Sequence, residues 1–154
     1  MNNNVILLDT AGFIKAIGMK KHRINYELIL KWILWLIALH SFGFGISLIV
    51  LPISVIEFFG FQLEEKFFAV QGGVFHIVVS LAYIMAALEL DNSRKLIILA
   101  CVAKFMATLF LLSYYFFVSH IFMVIFSGIA DFFMGLAILL TYLIFQKQKS
   151  LIIQ

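Results

Sequence analysis

Residues 121–145 read IFMVIFSGIADFFMGLAILLTYLIF, with Asp131 as the only charged side chain. A helix crosses the hydrocarbon core of a bilayer with about 20 apolar residues, so this run is long enough to span. It is continuously apolar rather than alternating, which excludes the strand of a membrane barrel. Asp131 near its middle is then the informative residue. A bilayer tolerates a carboxylate there only where it faces a partner charge, water or a ligand.

Three further runs repeat the pattern. Residues 29–51, 67–88 and 96–117 are apolar, and near their centres they carry His40, His76 and Lys104. Pro52 ends the first run, because proline lacks the N–H and clashes with the preceding turn. Asp91, Asn92 and Ser93 form a turn able to cap the third run. Only Val118, Ser119 and His120 separate the last two. Such short connections make neighbouring helices antiparallel. The expectation is an all-α integral membrane four-helix bundle, up-down-up-down. Residues 1–28 form a basic leader, 29–145 the membrane domain and 146–154 a tail. Within the leader, Thr10 to Met19 could lie on the membrane as a short interfacial helix. Residues 52–66 read as a loop with a short amphipathic turn from Ile53 to Phe59. Glu57 on that turn reads as a solvated carboxylate or as a contact at a mouth.

Composition agrees. The 154 residues are 64% hydrophobic and 12% charged, with mean hydropathy +1.11, against roughly half apolar and a quarter charged in soluble domains. Four spans leave no length for a separate soluble domain. The pI of about 9.1 does not point to nucleic acid, since the basic residues flank the apolar runs, where topology and lipid headgroups explain them. The opening MNNNVILLDT lacks a basic residue before its apolar stretch, which argues against a cleavable signal. A lone Cys101 inside an apolar run permits no internal disulfide.

Lys15, Lys20, Lys21, Arg23, Lys31, Arg94, Lys95, Lys147 and Lys149 fall on one side of the four runs and Lys66 alone on the other. Short basic segments stay inside, so both termini are expected to be cytoplasmic, in a multi-pass protein of the inner (cytoplasmic) membrane. Trp32 and Trp35 near one boundary, and Tyr114 and Tyr115 near the other, suit interfacial positions.

At about 1.5 Å of rise per residue, His40, His76, Lys104 and Asp131 lie within roughly one turn of a common depth. Three- and four-residue steps define a polar seam through them. The series are Leu36, His40, Gly43 and Ser47; then Gly73, His76, Ser80, Tyr83 and Ala87. The last two are Ala100 or Cys101, Lys104, Thr108 and Tyr115; and Gly128, Asp131, Gly135 and Tyr142. Small residues on such faces let backbones approach, while hydroxyls and charges find partners across the bundle. The large Phe side chains at 105, 110, 122, 126 and 132 are left to face lipid or fill gaps.

The seam has two readings. In one, Lys104 and Asp131 neutralise each other as a clasp. In the other, His40, His76, Lys104, Asp131, Tyr83 and Thr108 form a ligand or proton-relay site. A quinone or similar lipophilic molecule would place its polar head there, with the histidines donating to its oxygens and Lys104 stabilising negative charge. Two histidines could in principle ligate haem iron. The absence of HxxxH, HExxH and paired Cys-His spacings, together with the nearby lysine, argues against haem or another metal. No GxSxG, GxxxxGK[ST] or GxGxxG is present, and no residue is assigned a catalytic role.

Gly45 with Leu51-Pro52, Gln71-Gly72-Gly73 and Asp131-x-x-x-Gly135 give the chain a further property. Over most of residues 29–145 it resembles the small four-span bacterial membrane proteins grouped as DoxX-like. That resemblance implies a link to quinone-dependent or redox-stress membrane complexes. Lys104 and the histidine pair have no assigned counterpart in it. The function expected is an accessory or quinone-binding subunit of a membrane redox system. Its partners would be the bilayer and a redox subunit or a second copy. A small proton-coupled transporter and a purely structural scaffold are the alternatives.

Overall fold

The computed structural model describes residues 25–153, all of it helix and connecting turns. The interfacial helix expected between Thr10 and Met19, and the leader's basic residues, lie outside the described residues. Five helices follow one another: α1 (Tyr26–Val50), α2 (Ile53–Phe58), α3 (Phe67–Leu88), α4 (Arg94–Phe117) and α5 (Phe122–Ile153). All but α2 are long and apolar enough to cross a membrane. The chain is a multi-pass membrane protein built as a four-helix bundle.

Local chemistry sets the helix ends. The Asn25 side chain accepts a hydrogen bond from the Leu28 amide at 3.1 Å and starts α1, as capping residues do. Pro52 stops α1 and stands at the N-cap of the short α2, which buries Ile56 and leaves Glu57 exposed. Gly60 adopts φ +95°, the left-handed conformation that glycine reaches without strain, and turns the chain toward α3. Lys66 reaches back to donate to the Ile49 carbonyl at 2.6 Å. It thereby places a cation at the C-terminal end of α1, where the helix dipole favours one.

Helix α5 does not end at Phe145, where the apolar run stops, but continues to Ile153. Gln146, Lys147, Gln148 and Lys149 are good helix formers, so nothing in the local sequence stops it. At 32 residues it is about 48 Å long against a hydrocarbon core of about 30 Å. Its last turns therefore project beyond the membrane, where Lys149 pairs with Asp91 at 2.7 Å.

The helices pack as two intimate pairs, α1 with α3 and α4 with α5. Glycines explain both. A Cβ placed on Gly45 would sit 2.7 Å from the Gly73 carbonyl oxygen, and one on Gly73 would sit 2.6 Å from the Gly45 oxygen. The two backbones thus touch directly, as small residues permit in membranes. On the other pair, Gly128 receives Leu111 and Leu112, and Gly135 receives Phe105 and the Lys104 stem. Between the pairs, α1 meets α5 and α3 meets α4 over much less surface.

The pairs are joined chiefly at one end, where α1 begins and α5 finishes. Leu30, Leu34, Ile37 and Ala38 pack there on Tyr83, Ala86, Ala87, Ile97, Ala100, Ile138, Tyr142 and Phe145, all buried. Cys101 is also buried there as a free thiol. This is the proximal half. In the distal half the enclosed residues are few and mostly small, with Gly45, Gly73, Thr108, Val124 and Gly128 buried. Phe110, Phe122, Phe126 and Phe132 are exposed toward the lipid, and Phe105 lies against the core instead. Trp32 and Trp35 are also exposed on the lipid face.

Candidate functional site

The site lies where the packed half meets the open half. Lys104 on α4 and Asp131 on α5 face each other, with the ammonium donating to Asp131 Oδ1 at 2.5 Å. Both are buried, at 4% and 9% relative exposure. Their approach depends on Gly135, which stands one turn from Asp131 and meets the Lys104 Cβ at 3.2 Å from its own Cβ position. A larger residue at 135 would push α4 away and lengthen the ion pair. The Lys104 ammonium also stands 5.9 Å from the Tyr83 ring centre, within cation–π range.

Beside the pair is a cavity of about 150 Å³ between α3 and α4, one of the two thin helix interfaces. Its polar lining is Ser41, His76, Tyr83, Lys104 and Asp131, and its apolar lining is Phe75, Val79, Ala103 and Ala107. The two alanines, one turn apart on α4, line it beside the exposed Phe75, and the cavity is partly open.

Among the described residues every fully enclosed side-chain nitrogen and oxygen has a hydrogen-bond partner. The polar groups of the cavity are different. The Ser41 and Tyr83 hydroxyls and the His76 ring nitrogens bond to no other described protein group. Asp131 uses one carboxylate oxygen and Lys104 one of its three N–H donors. A polar atom left without a partner in an apolar setting costs about 1–3 kcal/mol. The cavity thus gathers several polar groups with hydrogen-bonding capacity to spare beside one ion pair.

The seam expected from the sequence holds on three helices and shifts on the fourth. On α3, Gly73, Ser80, Tyr83 and Ala87 are buried and His76 is half-buried at the cavity. On α4, Ala100, Cys101, Lys104 and Thr108 are buried; on α5, Gly128, Asp131, Gly135 and Tyr142 are. Thr108, however, donates its hydroxyl to the Lys104 carbonyl at 2.9 Å and does not line the cavity. On α1 the expected face is wrong. Leu36, His40 and Gly43 are exposed, and the inward residues are Leu34, Ile37, Ala38, Ser41 and Gly45. His40 therefore does not line the cavity. Its ring is stacked 6.4 Å from that of Phe44, whose other contact is His76 at 4.9 Å, edge to face. Ser41 takes the place that the sequence reading gave to His40. The spacing Ser41–Gly45, two small residues one turn apart, was the available signal for it.

The two imidazoles thus have the Phe44 ring between them, an arrangement unsuited to axial ligation of one haem iron. Among the described residues no group of three His, Cys, Asp or Glu side chains gathers as a metal site would require. The chemistry on offer is hydrogen bonding and charge stabilisation by Lys104, Asp131, His76, Tyr83 and Ser41 around a small, partly open space. Comparison with protein-family models, curated proteins and solved structures finds no match to this chain.

Proposed function

We propose that this is a small inner-membrane protein that binds the polar head of a lipid-soluble ring compound of the quinone class, as an accessory subunit of a membrane redox system. One observation carries the reading: the cavity beside the Lys104–Asp131 pair, whose lining brings Ser41, His76 and Tyr83 to the two charges. A clasp alone requires no such cavity, and desolvating an ion pair already costs several kcal/mol per ion.

Size and access support it. A cavity of about 150 Å³ is the size that holds one benzene-sized ring, and it is partly open beside the exposed Phe75. Lys104 would donate to a carbonyl oxygen of the ring and stabilise the negative charge that reduction puts there. The free Asp131 oxygen would accept or return a proton, while His76, Tyr83 and Ser41 would fix the ring's orientation. The resemblance to DoxX-like proteins points the same way. Transport is less well supported. On the proximal side Leu30, Leu34, Ile97 and Ile138 are fully buried, so a polar solute would meet several apolar layers. Lys31, Arg94, Lys95, Lys147 and Lys149 all stand at the proximal end, which supports cytoplasmic termini by the positive-inside rule.

The test uses the protein in lipid nanodiscs and a chainless dimethoxy-methyl-benzoquinone, with binding followed by native mass spectrometry. Wild type should take one ring per chain. The double variant Lys104→Met with Asp131→Asn should keep its fold and bind at least about tenfold more weakly, since a charge-assisted hydrogen bond contributes about 1.5–3 kcal/mol. Equal binding by the double variant would sink the reading.

A further inference from the structure

The second thin helix interface, between α1 and α5, also holds a cavity, on the distal half. It is an apolar cleft of about 280 Å³ lined by Phe44, Leu48, Leu51, Ile56, Phe59 and Met123, with Ser47 and Ser127 at its edge. The Ser47 hydroxyl is already used, donating to the Gly43 carbonyl at 2.8 Å. The cleft therefore offers mainly hydrocarbon contact, with the Ser127 hydroxyl as its remaining polar group, in contrast to the cavity at Lys104.

One ring contact links the two linings. Phe44 lines the cleft, His76 lines the cavity, and their rings meet at 4.9 Å. Phe44 stands at the protein surface rather than in the core. It is 38% exposed, its other ring neighbour is the exposed His40, and Gly43 beside it has nothing within 4 Å of its Cβ position. Turning the ring away from His76 would join the polar cavity to the apolar cleft across the bundle. The joined space falls in the 300–1,000 Å³ range of ordinary ligand sites, whereas the cavity alone does not.

We propose that the α1–α5 cleft is the second half of the same binding site and holds the hydrocarbon chain of the ligand, with Phe44 as the partition that the chain displaces. The inference rests on the ring-binding reading above and adds to it a specificity. The preferred ligand is a ring that carries a chain, with its polar end at Lys104 and Asp131 and its apolar end against Met123, Leu48 and Ile56. The polar–apolar division of the joined space along its length is the chemical match to such a molecule.

The experiment compares two probes in the same nanodiscs, the chainless benzoquinone and the same ring bearing a decyl chain. Using their ratio cancels the greater partition of the decyl compound into lipid. Met123→Trp fills the cleft from α5 without touching the cavity, and Ser127→Phe does so from one turn further along. Thermal unfolding checks that each variant is folded. Either folded variant should weaken the decyl probe about tenfold while leaving the chainless ring within about twofold. Phe44→Ala should shift the ratio in favour of the decyl probe. If both probes weaken together, or neither does, the chain does not occupy the cleft, while ring binding by wild type still stands. If neither probe binds wild type, both readings fall. A co-purified phospholipid that is lost from Met123→Trp but not displaced by the decyl probe would assign the cleft to a structural lipid and overturn the proposal.

Discussion

The proximal and distal halves of this bundle are built from the same kind of sequence and behave as different materials. The proximal half interlocks four helices through Leu30, Leu34, Ala86, Ile97 and Ile138, each with no exposed surface. The distal half holds its helices only in pairs, through Gly45 with Gly73 and Gly128 with Leu111 and Leu112. Lipid is as apolar as leucine, so hydrophobicity cannot close the distal gaps; only close packing could. The difference teaches that in a bilayer an open interior needs no polar lining to exist. It needs only side chains whose shapes do not meet.

The sharpest way to break the comparison is at the boundary. Lys104→Met alone should cost about 3–5 kcal/mol in unfolding from mixed micelles, because it strands the Asp131 carboxylate. Adding Asp131→Asn should recover most of that loss; a double variant no better than the single would mean that the pair also holds α4 to α5 by other contacts. Next, Leu34→Ala in the proximal core should cost about 2–5 kcal/mol. Leu48→Ala, half-buried at the distal cleft, should cost less than about 1 kcal/mol. Equal losses would erase the distinction between the halves.

Glycine substitutions sharpen it further. Gly45→Ala drives a methyl into the Gly73 carbonyl and should cost about 1–3 kcal/mol. Gly43→Ala, two residues away with open space around it, should be neutral or stabilise by about 0.5–1 kcal/mol through helix propensity. Lys66→Met, which removes the cation on the Ile49 carbonyl, should cost about 0.3–1 kcal/mol. The smallest effect belongs to Lys149→Met, whose partner Asp91 is well exposed, at about 0–1 kcal/mol. Thermal unfolding in detergent ranks all four.

Helix positions were legible because each run is long, apolar and bounded by Pro52, the Asp91–Ser93 turn or the Val118–His120 turn. Three of the four inward faces were legible for a second reason. A single strongly polar residue, such as Lys104 or Asp131, must point inward, and small residues at helical spacing agree with it. Helix α1 defeated that logic. Its surface is apolar all round, so the faces differ little, and the reading was anchored on His40. That imidazole is exposed here beside Phe44. Gly43 and Gly45 look alike in a sequence; only the partner glycine on α3 distinguishes them. Helix α5 outruns its apolar stretch because apolar character stops at Phe145, whereas helical hydrogen bonding has no reason to. The cavity itself was not legible, since it arises from what Ala103 and Ala107 leave unfilled.

That overrun of α5 has a mechanical meaning. From Phe122 to Ile153 it is one rod without proline or other break, carrying Asp131 in the bilayer and Lys149 in water. A rod with no hinge cannot absorb a tilt along its length. If the helix tilts as one piece, a movement of Asp131 in the lipid shifts Lys149 against Asp91 outside it.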